Sequence, residues 1–170
     1  MTNDQKIVAR GAASGVAAMA LIVWLLTTLI PEPDIPDTSA DRIAYALPWG
    51  VIAALPLFFM IVAVGNARFL GKAIDSTLGQ EHPSMLVDGR VADNTTQQFL
   101  LFVIAMMGLA VTVPAGGLKV IPAVAITFVI SRVVFWIGYR IHPLYRAPGF
   151  ASTAYLNLGM IVATLWMWVD

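Results

Sequence analysis

The sequence predicts an all-α integral membrane protein, and three observations carry that prediction. The chain of 170 residues is 59% hydrophobic and only 12% charged, about half of the roughly 25% charge that a soluble domain carries. Five apolar runs punctuate it, each close to the length of about 20 residues that crosses a bilayer. Together with their turns these runs use up the chain, so no separate soluble catalytic domain fits. The absence of cysteine excludes a disulfide frame, a thiolate nucleophile and a zinc knuckle. His82 and His142 lie far apart and outside any ligand spacing, so no metal site is expected.

The first span, Gly11 to Ile30, follows Lys6 and Arg10 and is too long for a signal-peptide core, so it reads as an uncleaved anchor. Pro31, Pro33 and Pro36 then break the helix in an acidic loop with Glu32, Asp34, Asp37 and Asp41. A second span covers about Ile43 to Val64, with Pro48 and Pro56 as candidate kinks that neighbouring helices accommodate. Asn66 to Arg90 is polar and Gly/Pro-punctuated, the longest stretch read as non-membrane. The third span begins near Val91 and stops before the turn Pro114-Ala115-Gly116-Gly117. The fourth runs from about Val120 to Tyr139 and the fifth from about Phe150 to Val169, where Trp166 and Trp168 suit an interface.

With the N-terminus cytoplasmic, the loops on that side hold Lys6, Arg10, Arg68, Lys72, Arg90, Arg140 and Arg146, against only Arg42 and Lys119 opposite. The positive-inside rule selects this orientation. A bacterial inner membrane and an endomembrane fit equally. Gly11 and Gly15 form a small-xxx-small pair of the kind that packs helices.

Charge within a span is costly and marks either function or a polar contact inside a bundle. Arg132 is the clearest case, and Tyr139 shares its helix face at i+7. Arg90, Asn94 and Gln97 recur at i, i+4 and i+7 on the third helix. With Arg68 and Arg146 at the same level, four arginines describe a site for a small anion, because the guanidinium fork suits carboxylates and phosphates. Blander readings stand beside this one. The boundary arginines also suit lipid headgroups, Arg132 also suits snorkelling, and Asn94 and Gln97 also suit interhelical hydrogen bonding.

At these same residues the chain resembles the family of membrane-associated proteins in eicosanoid and glutathione metabolism, MAPEG. Arg90-Val-Ala-Asp-Asn94-Thr-Thr-Gln97-Gln-Phe99 is similar to the family's Arg-x-x-x-Asn-x-x-Glu signature. Ser131-Arg132-Val-Val-Phe135-Trp-Ile-Gly-Tyr139 is similar to its Ala-Arg-x-x-Tyr-x-x-x-Tyr pattern, and Tyr145-Arg146-Ala-Pro-Gly-Phe150 to the turn that enters its last helix. The match covers about residues 49 to 169.

The resemblance implies a four-helix transmembrane bundle over 43–170, preceded over 1–42 by an additional transmembrane anchor and its acidic loop. It further implies a homotrimer with glutathione as cosubstrate between subunits near the cytoplasmic face. Arg90, Asn94, Arg132 and Tyr139, with Arg68 and Gln97 beside them, would hold the tripeptide, while Arg146 would stabilise its thiolate. The implied activity is a glutathione-dependent transferase or peroxidase acting on a lipophilic electrophile or hydroperoxide from the bilayer. Gln97 stands where the family has glutamate, Phe135 where it often has tyrosine, and the first span is additional to the usual four. These departures favour an alternative, a non-catalytic member that binds a lipid or a partner helix in the intersubunit groove. A channel or transporter is disfavoured, because paired halves and broken helices are missing, and nothing in the sequence points to nucleic acid.

Overall fold

The computed structural model describes residues 1–35, 37–71, 74–75 and 79–169. Pro36 and Lys72, used above for topology, lie outside the described residues. The described residues form five long helices: α1 (Asn3–Leu29), α2 (Ser39–Leu70), α3 (Pro83–Thr112), α4 (Val120–Ile141) and α5 (Ala147–Val169), with one 3₁₀ turn, Pro143–Arg146, before α5. All five are long and apolar enough to cross a membrane.

The helices outrun the apolar runs because their caps lie in polar sequence. Thr2 and Gln5 close a capping box, with Gln5 N donating to Thr2 Oγ1 at 3.2 Å and Thr2 N to Gln5 Oε1 at 2.9 Å. Thr38 caps α2 by accepting from Asp41 N. The helix then passes through Pro48 and Pro56 without a break and reaches Leu70. The largest difference from the sequence reading is at α3, which starts at Pro83 rather than near Val91. Proline suits the first helical position, His82 caps it, and the first turns bury Met85 and Asp88. Part of the stretch read as non-membrane loop is therefore helix.

The core sits among α2 to α5. α2 and α5 each pack on both α3 and α4, and the Phe102 and Phe128 rings meet at 4.3 Å between centroids amid Met106, Ile121 and Leu156. More than half of the most apolar window of α4 is buried, 56% against 6% for α1, which lies on the outer side of α5 and α4. That outer helix touches the bundle at one close crossing. A Cβ on Gly15 would overlap the Pro148 backbone, and Ser152 Oγ donates to Gly15 O at 2.8 Å. The Gly11/Gly15 pair thus packs α1 onto the start of α5.

At the Glu32 end of the bundle, buried Arg42 pairs with Asp37 and donates to the carbonyls of Ala110, Val111 and Val113, where α3 runs out of intrahelical donors. Glu32 accepts from Leu118 N at 2.7 Å and Lys119 N at 3.3 Å, placing a carboxylate on the N-terminus of α4.

Candidate functional site

At the opposite end, where α1 begins, α3, α4 and α5 converge on a cavity of about 650 Å³. Its depth is set by a buried cation. Arg132 is fully buried, donating from Nη1 to Asn94 Oδ1 at 2.9 Å and from Nη2 to Gly149 O at 3.3 Å, with its guanidinium 4.3 Å from the Phe135 ring centroid. A Cβ on Gly149 would overlap the Phe135 backbone, so this glycine lets α5 lie against α4 and brings its carbonyl to Arg132. The arginine does not reach for headgroups. It orients Asn94, whose oxygen is engaged and whose amide N–H groups are left for the cavity.

Arg146, on the 3₁₀ turn, donates from Nη1 to Tyr139 Oη at 2.9 Å and stacks at 4.8 Å over the same ring. With that oxygen accepting, the Tyr139 hydroxyl hydrogen is free to donate. Arg90 lines the cavity from α3 and has no ion-pair partner among the described residues. Among the described residues the polar lining is thus two guanidinium groups, one amide and the two tyrosines Tyr139 and Tyr155, with no carboxylate. Such a set favours an anion. The remaining walls are apolar, including Phe135, Phe150 and the α1 residues Val8 and Ala12.

The residues singled out in the sequence separate here. Arg90, Asn94, Tyr139 and Arg146 share the cavity, and Arg132 stands behind Asn94. Gln97 is exposed on α3 and does not line it. Arg68 also stands outside, paired with Glu81 at 2.9 Å. Arg140 is held by Asp88 through two hydrogen bonds of 2.7 and 2.6 Å, and Asp88 also accepts from Trp136 Nε1 at 2.8 Å, so that charge is satisfied. Sequence reasoning missed Tyr155 and the contribution of α1. The only signal for the latter was the Gly11/Gly15 spacing.

The fold and site define a class: a multi-pass helical membrane protein with an arginine-lined cavity at one end of its bundle. The model of the MAPEG family matches residues 46–166, and the chain belongs to that family. It is also similar to Transmembrane protein 79 of Mus musculus, 26% identical over 162 residues, which covers 92% of this chain and 41% of that protein. The Bos taurus Transmembrane protein 79 is 26% identical over 158 residues, covering 90% of this chain and 40% of its own. This chain therefore spans about two fifths of the length of these relatives. No solved structure matches the chain.

Proposed function

We propose that the protein binds glutathione in the Arg90–Arg146 cavity and uses its thiol to conjugate a lipophilic electrophile or to reduce a lipophilic hydroperoxide drawn from the bilayer. The observation that carries this reading is the pairing of Arg146 with Tyr139 beside the unpartnered Arg90, in a family member whose motif residues Arg90, Asn94 and Tyr139 line one cavity. Arg90 and the Asn94 amide suit the tripeptide's carboxylates. Arg146, aimed by Tyr139, suits the sulfur: a free thiol ionises near pH 8.5 and an adjacent guanidinium favours its thiolate. In conjugation, the thiolate forms a bond to the electrophilic carbon and the leaving group or opened ring takes the electron pair. With a hydroperoxide, the thiolate attacks the terminal oxygen, the O–O bond breaks, the alkoxide leaves and takes a proton as the alcohol, and a second glutathione converts the sulfenic acid to the disulfide and water. The experiment is conjugation of a model electrophile by purified protein in lipid, with Arg146→Ala as control. Loss of turnover in the variant supports the reading, while no turnover and no glutathione-dependent rise in melting temperature in the parent protein sinks it.

The trimeric assembly belongs to the same proposal. Arg90, Asp93, Gln97, Leu100 and Ile104 are all exposed on α3 at alternating spacings of three and four residues, and Val111 follows one heptad on, the seam geometry of associating helices. The polar members of that stripe are better covered by another copy than by lipid. Light scattering of the detergent-solubilised protein tests it, with Asp93→Leu as the control that strengthens rather than weakens a purely apolar seam. The same proposal takes the N-terminus as cytoplasmic, a reading supported by the excess of basic residues at the cavity end.

One observation favours the second reading, a non-catalytic member that binds an anionic lipid. Glutathione carries an ammonium group, and the cavity offers no carboxylate to it. Copurification of a lipid, with glutathione failing to stabilise the protein, discriminates in its favour.

A further inference from the structure

The two histidines share a local pattern at the cavity end. His82 and His142 are each followed by proline, and each ring accepts through Nδ1 from the backbone N–H two residues on, Ser84 N at 3.3 Å and Leu144 N at 3.2 Å. What such a cap is worth depends on the length of the element it caps. α3 runs for 30 residues from Pro83, and one cap is a small part of what holds it. The turn Pro143–Arg146 has four residues, too few to hold themselves by cooperative hydrogen bonding. Its shape therefore depends on what anchors it from outside.

The nearest anchors come from the end of α4. His142 terminates that helix, its ring accepts from Leu144 N, and its carbonyl accepts from Tyr145 N at 2.9 Å. The His142 and Tyr145 rings also meet at 5.3 Å between centroids. One helical turn before His142 stands a separate observation. A Cβ on Gly138 would overlap the Tyr145 carbonyl, a backbone group that no side-chain rotation moves aside. Glycine at that position is what lets the turn fold back onto α4. The residue after Tyr145 is Arg146, and the residue after Gly138 is Tyr139, which accepts from it at 2.9 Å. Pro143 and Leu144 of the same turn line the cavity beside them.

We infer that His142 and Gly138 are positioning residues for Arg146: one caps the turn, the other lets it lie on α4, and together they set the guanidinium on Tyr139. Neither lines the cavity. The inference rests on the reading of Arg146 as the group that meets the sulfur. Arg146 is exposed, and a free arginine side chain would lose rotamer entropy each time it met a ligand. Held by the turn and by Tyr139, it is a donor fixed before the charge arrives.

The test reads Arg146 directly, in the full-length protein with isotope-labelled arginine in lipid nanodiscs. A guanidinium that is bonded and stacked turns slowly and gives separate Nη–H signals by NMR, and Arg146→Lys identifies them by removing them. His142→Ala should merge these signals and speed amide exchange across the turn by about fivefold, with the melting temperature unchanged because the cap is exposed. His142→Asn should restore both, since an asparagine oxygen also accepts from the N–H two residues on. Gly138→Ala should release the guanidinium more completely; should it fail to fold, the His142 pair decides alone. Arg146 signals that persist in His142→Ala or in a folded Gly138→Ala, or that His142→Asn does not restore, overturn the inference. In turnover, His142→Ala should lower kcat by about fivefold, leave the KM for glutathione unchanged, and recover in His142→Asn; a kcat that stays constant while the signals follow the cap also overturns it. Arg146 signals that follow the cap in a parent protein without turnover leave the anchored turn standing and remove the glutathione reading. Turnover in the parent with Arg146 signals indifferent to the cap does the reverse.

Discussion

The two ends of this bundle treat arginine in opposite ways. At the Glu32 end, Arg42 has a carboxylate partner and three carbonyls of a helix C-terminus, so all three of its nitrogens are engaged by the fold itself. At the other end Arg90 and Arg146 meet no carboxylate and face a cavity. The residue type is the same and the membrane cost is the same. What differs is whether the fold itself supplies the counter-group, and where it does not, an outside anion is the remaining way to satisfy the charge. Arg132 stands between these cases: its Nη atoms are held by Asn94 and Gly149 while its buried Nε has no partner, and through Asn94 it shapes the cavity.

The sharpest break between the two ends should come from Arg146→Ala. Removing a preorganised donor to a developing charge is expected to lower turnover by about 10²–10³ while leaving thermal unfolding unchanged; a matched fall in melting temperature would make Arg146 another structural cation. Arg42→Met should do the converse. It strips the charged donor from three helix-terminal carbonyls and should lower stability by about 3 kcal/mol, with glutathione-induced stabilisation of the surviving protein unaltered. Gly15→Leu forces a side chain against the Pro148 backbone and should cost about 2 kcal/mol, read as a lower melting temperature. Glu32→Gln is the mildest change. It keeps one of the two oxygens that accept from Leu118 N and Lys119 N and loses the charge at the N-terminus of α4, an effect of about 1 kcal/mol, visible in denaturation and absent from any ligand titration.

Hydropathy and periodicity were legible because they are local. Five spans, their order, and the recurrence of Arg132 with Tyr139 follow from runs and spacings alone. The early start of α3 was not, because a His82 cap and a Pro83 first turn resemble loop punctuation until Met85 and Asp88 find partners across the bundle. Gln97 shows the limit of a stripe argument: it shares a helix face with Arg90 and Asn94 in sequence, but a rotation of a fraction of a turn leaves Asn94 on Arg132 and Gln97 outside the cavity. Arg68 shows another limit, since depth in the membrane does not reveal that Glu81 holds it.

By itself the sequence determined that this chain lives in a bilayer, how many times it can cross, and which polar groups its helices must hide or use. These follow from transfer free energies summed along the chain, which need no neighbours. Only the tertiary structure decided which arginine is spent on carbonyls and which faces a cavity, and that α1 borders that cavity. Those outcomes depend on where each side chain meets its counter-group across helices up to 137 residues apart in sequence, and a guanidinium is structural or functional according to that meeting alone.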